Sequence, residues 1–203
     1  MRVADVLLQE PWVQTIPEIP TINPDVLIIT GHSRRGKTAL LAGAYDDRFT
    51  MVVPNGSGCG GAGSFLIQGQ GSETLASITS QNRYKSWFHN DFGRFGGKEA
   101  DLPFDQHFLR ALVAPRPILS TDGIDDLWAN PPGTQAMYEA TQKIYDFLNV
   151  GKNNAIHFRS GGHGFLEEDF TVLLDYADHL FFGKSVTSDF YTVPFNLHIL
   201  YED

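Results

Sequence analysis

Eight consecutive residues, Gly31-His32-Ser33-Arg34-Arg35-Gly36-Lys37-Thr38, have the side chains and spacing that two different chemistries require. They satisfy the phosphate-loop pattern G-x-x-x-x-G-K-[ST], in which backbone N–H groups and a lysine cradle phosphates. They also resemble a nucleophile elbow, in which a serine on a sharp strand-to-helix turn projects its hydroxyl toward substrate. The common elbow spelling is G-x-S-x-G. Here the residue two past Ser33 is Arg35, and the glycine comes one later. The turn alone leaves both readings open. An acid pair, Asp125-Asp126, and the histidine of Gly161-Gly162-His163-Gly164 lie further along the chain.

Alternating elements position these groups. Val26 to Thr30 is a short apolar and β-branched run ending at a glycine, which predicts a strand buried on both faces. The Ala- and Leu-rich stretch after Gly36 predicts a helix running to about Asp47. Ser33 therefore falls at a helix N-terminus, where free N–H groups favour negative charge. Further strands are expected at 48–54, 118–121 and 154–158. Helices are expected at 1–10, 72–81, 105–112, 133–149 and 167–182, with a glycine-rich loop at 56–63 and an aromatic-rich irregular segment at 82–104. The glycine-rich loop lacks G-x-G-x-x-G spacing before a helix, so it carries no phosphate reading. This alternation implies an α/β fold, a three-layer α/β/α sandwich around a parallel sheet.

In such sheets reacting groups collect beyond the carboxyl ends of the strands. Taken in order, those ends bear Ser33, then Asp125 and Asp126, then His163. Serine, acid, histidine is the chain order of the α/β-hydrolase triad. A nucleotide-hydrolysing enzyme would need a magnesium-holding carboxylate at a second strand end, with Asp122 as the candidate, and would leave His163 unexplained. The elbow reading is therefore preferred. The histidines lack short metal-ligand spacing, and neither a metal nor another cofactor is expected.

Composition narrows the class. The 203 residues fit one domain. A net charge of −9 argues against a nucleic-acid surface. No run of 18 apolar residues suggests a membrane span. The single cysteine, Cys59, excludes an internal disulfide and reads as a small buried residue. The first residues lack the apolar centre of a signal peptide.

GHSRRGKTAL is similar to the elbow of the glucuronoyl esterases, carbohydrate esterase family fifteen, which reads G-C/H-S-R-x-G-K. The stretches NGSGCGGAG, ETLASITSQ with WFHNDF, LPFDQHFLRALVAPRPIL, DDLWANP and GGHGF resemble the same family in the same order, over residues 1 to about 183. The resemblance implies a serine esterase of the α/β-hydrolase fold acting on esters of (4-O-methyl-)glucuronic acid, as in lignin–xylan linkages. It implies Ser33 as nucleophile, His163 as base and Arg34 as oxyanion stabiliser. Lys37, Glu73, Gln81 and Trp128 would contact the sugar, with Glu73 and Gln81 swapped relative to the family's usual Gln and Glu. The fungal pattern places a glutamate where this chain has Gly56. Asp126 would then be the acid, as in many bacterial relatives, with Asp125 as the fallback.

The family's fold has strands ahead of the nucleophile strand, whereas only about 25 residues precede it here. The chain is therefore expected to be the C-terminal part of a single catalytic domain. Alone it would expose an apolar sheet edge and show little or no esterase activity. Full-length relatives are expected to be secreted or periplasmic. The competing functions are an acetyl or feruloyl esterase, a phosphate-loop nucleotide-binding protein, and a carbohydrate-binding remnant without turnover.

Overall fold

Alternate residues along the central strands show why the sheet needs a helical layer on each face. In β2 (Met51–Asn55), every residue is buried. Met51 and Val53 point to one side, where Val172, Leu173 and Tyr176 cover them. Val52 points to the other, against Leu40, Val113 and Tyr145. A strand's side chains alternate between faces, so a continuous apolar run fits only a sheet covered on both sides. The computed structural model of the chain describes residues 2–9, 11–17, 21–80, 84 and 86–197.

Four parallel strands, β1 (Ile28–His32), β2, β3 (Ile118–Gly123) and β4 (Asn154–Arg159), lie side by side in chain order. The helices are α1 (Arg2–Gln9), α2 (Arg34–Tyr45), α3 (Leu75–Ile78), α4 (Gln106–Ala111), α5 (Pro131–Phe147) and α6 (Glu167–Phe182). The helices α2 and α5 cover one face and α6 the other, giving the three layers expected from the sequence. Gly43 lets α2 approach closely, since a Cβ there would sit 2.4 Å from Val52 Cγ2. Among the described residues, no helix is long and apolar enough to cross a membrane.

β2 starts at Met51 rather than at 48, and three further elements differ from the sequence expectation. β1 begins at Ile28 because the Leu27 N–H is taken by the Thr50 hydroxyl at 2.9 Å. Nor is β1 buried on both faces. It is the edge of the sheet among the described residues, and its residues are half-buried or exposed. β3 runs two residues past its expected end at 121, because its backbone stays paired with β4 through Asp122 opposite Phe158 and Gly123 opposite Arg159; of its polar side chains, Ser120 Oγ accepts from Arg110 and Thr121 Oγ1 from Asn55. The helix expected at 72–81 shrinks to the single turn α3, capped by Thr74 and Ser77.

A separate apolar cluster lies outside the sheet. Cys59, Phe65, Leu75, Ile78 and Leu102 are its buried members, with Trp87, Phe88, Phe92 and Phe95 packed around them. This cluster flanks the strand ends where the candidate residues gather.

Candidate active site

Ser33 sits between the end of β1 and the start of α2 with φ 57° and ψ −125°. A non-glycine residue held there is strained by about 1–3 kcal/mol, and such strain persists only where surrounding structure enforces it. The enforcement is visible. The Ser33 N–H donates to Asn55 O at 2.9 Å, and glycines flank the turn at two contact points. A Cβ at Gly31 would lie 2.5 Å from Arg35 O, and one at Gly36 would lie 2.8 Å from Gly31 O and from Ser57 Cβ. The displaced glycine of the motif is therefore the one that α2 needs to pass the loop after β2. This geometry lifts the Ser33 side chain out of the strand, as an elbow requires.

His163 lies in the loop after β4. Its Nδ1–H donates to Asp126 Oδ2 at 2.6 Å, leaving Nε2 free to accept a proton. Asp126 is 4% exposed, and its other oxygen accepts the Ala129 N–H at 3.2 Å. The neighbouring Asp125 is exposed and instead accepts the Gly161 N–H. Gly56 has φ +48°, and a Cβ there would point to within 3.6 Å of Asp126 Oδ2. The carboxylate thus reaches the space that a side chain at position 56 would enter. Hydrogen bonding to Asp126 raises the His163 pKa above the ordinary 6.5. Partial burial opposes the rise, and the charges of Asp126 and Glu73 add to it.

The ring of His32, the residue before Ser33, lies 4.5 Å from the His163 ring. This contact places the imidazole beside the serine turn, although no hydrogen bond joins Ser33 Oγ to His163 among the described residues. Catalytic hydrogen bonds are often long before substrate binds.

Arg34, the first residue of α2, is exposed, with its guanidinium carbon 5.9 Å from the Trp87 ring centroid. Lys37 differs from the expectation of a direct sugar contact. Its ammonium is buried and donates to Ser57 O and Cys59 O, each at 2.6 Å, and to Glu73 Oε1. An ammonium has three donors, and all three are engaged. The same commitment removes the lysine from phosphate binding, so the phosphate-loop spelling has no matching geometry. Burial pushes the Glu73 carboxyl above its usual range, while Lys37 opposes the shift. Trp128 is half-buried and its carbonyl accepts the Glu73 N–H at 2.9 Å, so these two candidates do meet. Gln81 lies outside the described residues.

Lys37→Met is expected to lower stability by about 3–5 kcal/mol in urea denaturation, because it leaves Glu73 buried without its partner. Adding Glu73→Gln should recover part of that loss. A single-variant loss below 1 kcal/mol would mean that the pair is not buried as found.

Sequence reasoning passed over two residues here. Trp87 was grouped with the aromatic segment, yet it faces both Arg34 and Lys37. With Phe65, Phe92 and Phe108 it lines a cavity of about 1000 Å³ that opens beside them. His32 matches the second letter of the elbow pattern, which says nothing of what its ring touches. The only available signal for either was proximity to the elbow or to aromatic neighbours, which does not by itself specify a contact.

Known proteins resemble this chain over most of its length. A family model described as glucuronyl esterase, fungi, matches residues 2–149. A carbohydrate esterase from an unknown prokaryotic organism is 37% identical over 166 residues, 74% of this chain and 38% of that protein. The 4-O-methyl-glucuronoyl methylesterase of Schizophyllum commune is 30% identical over 179 residues, 84% of this chain and 44% of that protein. Among solved structures, a carbohydrate esterase family 15 glucuronoyl esterase from Caldicellulosiruptor kristjansonii superposes with a TM-score of 0.83 at 38% identity. That superposition covers 92% of this chain and 51% of the other. The chain thus spans about half or less of each of these relatives. With nearly three-quarters of its length inside the family match, the chain belongs to the glucuronyl esterase family.

Proposed function

We propose that this chain supplies the nucleophile, base, acid and one sugar-facing wall of a serine esterase that cleaves esters of (4-O-methyl-)glucuronic acid. The observation that carries the reading is the bond between His163 and Asp126 beside the strained turn of Ser33. The family match and the activity named for the Schizophyllum commune relative support the substrate class. Residues 1–203 are read as the C-terminal part of one catalytic domain, so turnover is a property of the full-length protein.

The steps follow from the groups present. His163 Nε2 takes the Ser33 hydroxyl proton as Oγ attacks the ester carbonyl, and Asp126 stabilises the imidazolium. Negative charge develops on the carbonyl oxygen, where the Arg34 backbone N–H and guanidinium stabilise it. The alcohol leaves with the proton from His163. Water, deprotonated by the same nitrogen, then attacks the acyl-serine, releases the uronic acid and restores Ser33. Glu73, oriented by Lys37, keeps one carboxylate oxygen for a sugar hydroxyl, and Trp128 provides a flat or N–H-donating surface.

Substrate profiling of the full-length protein tests the reading. Benzyl and methyl glucuronates are expected to turn over faster, by kcat/KM, than acetylated xylan or feruloyl esters. Preference for an acetyl or feruloyl ester would overturn the substrate assignment and leave the serine mechanism intact.

A further inference from the structure

One arginine holds the loop that carries His163. Arg159, the last residue of β4, donates Nη1–H to Ser160 O at 3.0 Å. Its Nη2–H groups donate to Gly162 O at 3.2 Å and Gly164 O at 2.7 Å. Its Nε–H donates to Asp169 Oδ2 at 2.8 Å, in an ion pair whose side chains are 1% and 0% exposed. The guanidinium therefore bonds the carbonyls immediately before and after His163.

The network continues toward the nucleophile. Asp169, in the first turn of α6, accepts the Leu166 N–H at 2.8 Å and, through Oδ1, Asn55 Nδ2 at 3.0 Å. Asn55 ends β2, and the same nitrogen donates toward Thr121 O and Oγ1 of β3. Acceptors surround that nitrogen, so the amide oxygen must be the atom that faces His32. His32 Nδ1 lies 2.6 Å from it. An amide oxygen only accepts, which places a proton on His32 Nδ1. The His32 ring, fixed in this way, lies against His163 at 4.5 Å and is stacked at 6.1 Å with Phe165.

We propose that Arg159, Asp169, Asn55 and His32 act as positioning residues that fix the loop 160–164, and with it the His163 ring, relative to the Ser33 turn. The proposal rests on the reading of Ser33 and His163 as nucleophile and base. A buried ion pair is weak evidence of net stability, because removing two charges from water offsets much of their attraction. Its value here is geometric. A displacement of about 1 Å at a reacting group can cost about 10²-fold in rate, and groups that orient a reacting side chain are worth about 10–100-fold in metal sites of similar construction.

Arg159→Lys tests this in the full-length protein, since it keeps a cation opposite Asp169 and removes the fork to the loop carbonyls. Turnover of benzyl glucuronate is expected to show kcat lower by about 10²-fold with KM unchanged. Imidazole NMR should show His163 titrating closer to the ordinary value, as its bond to Asp126 loosens. A variant with wild-type kcat and wild-type His163 titration, reduced only in thermal stability, would overturn the proposal. If the variant fails to fold, the wild-type protein still decides. Arg159 should give separate, slowly exchanging Nη–H signals, and one averaged signal from a freely rotating guanidinium would be decisive against it. The NMR readouts need no turnover. Activity retained by Ser33→Ala would instead count against the esterase reading itself.

Discussion

Ser33→Ala is expected to lower kcat on benzyl glucuronate by about 10⁶-fold in the full-length protein, as loss of the nucleophile does in other serine hydrolases. Neither immediate neighbour, His32 or Arg34, carries a hydroxyl that could form an acyl ester in its place. Ser33→Gly should be equally inactive and should differ in stability. The turn holds φ 57° and ψ −125°, a region glycine visits readily and alanine does not. Relief of that strain is offset by the greater freedom of glycine in the unfolded chain. The net expectation is that the glycine variant is more stable than the alanine variant by about 1 kcal/mol in chemical denaturation. Equal stability would show that the turn is unstrained. Wild-type turnover by either variant would remove Ser33 from the mechanism.

Asp126→Asn has the second-largest expected effect, about 10⁴-fold in kcat, because an amide favours the wrong imidazole tautomer while preserving shape. The pH profile gives a second readout. Asp126 raises the His163 pKa, and only neutral His163 can act as base, so the acid limb of kcat/KM in the wild type lies above pH 6.5. The variant's limb should move to lower pH. The effect on stability has the corresponding sign. A histidine whose folded-state pKa is raised stabilises the fold at pH values below its unfolded pKa, and that contribution disappears as pH rises through the raised folded value. The stability gap between wild type and Asp126→Asn should therefore be widest in acid and narrow toward alkaline pH. Asp125→Asn is expected to leave the profile in place, since Asp125 bonds a loop N–H rather than the ring. A profile that follows Asp125 would reassign the acid.

The strands and long helices were legible because burial imposes a period on the sequence. Val52 and its apolar neighbours announce a two-faced strand, and the span of α6 agrees with its amphipathic letters. The order Ser33, Asp126, His163 was legible because each follows a strand. Pairings that local patterns do not encode were not. Arg110, fully buried on α4, reaches Ser120 Oγ and Asn154 Oδ1, a tertiary contact that accounts for one polar letter inside β3 and, together with Tyr138 O and Gln142 Oε1, for the one at the start of β4. Burial lowers its pKa to about 10, and burial also lifts the Asp122 carboxyl well above its usual range. The pairing of His32 with Asn55 spans 23 residues, and that of Asn55 with Asp169 spans 114. The engagement of Lys37 was likewise invisible, because an exposed helix lysine and a buried one share the same letter. Gly56 was informative in the opposite way, since its missing side chain suggested that the carboxylate comes from elsewhere.

Gly123 ends β3 where a Cβ would lie 2.5 Å from both Gly161 O and Gly162 O. The segments bearing Asp126 and His163 touch there with no side chain between them, so neither can lengthen or bend without disturbing the other. The aromatic cluster around Phe65, Leu75 and Ile78 shares no buried residue with the two clusters that cover the sheet faces. Its links to the elbow run instead through Cys59 O, which accepts from Lys37, and through Trp87, which faces Arg34 and Lys37, so an exchange there reaches the first turn of α2 without touching the residues that cover the sheet.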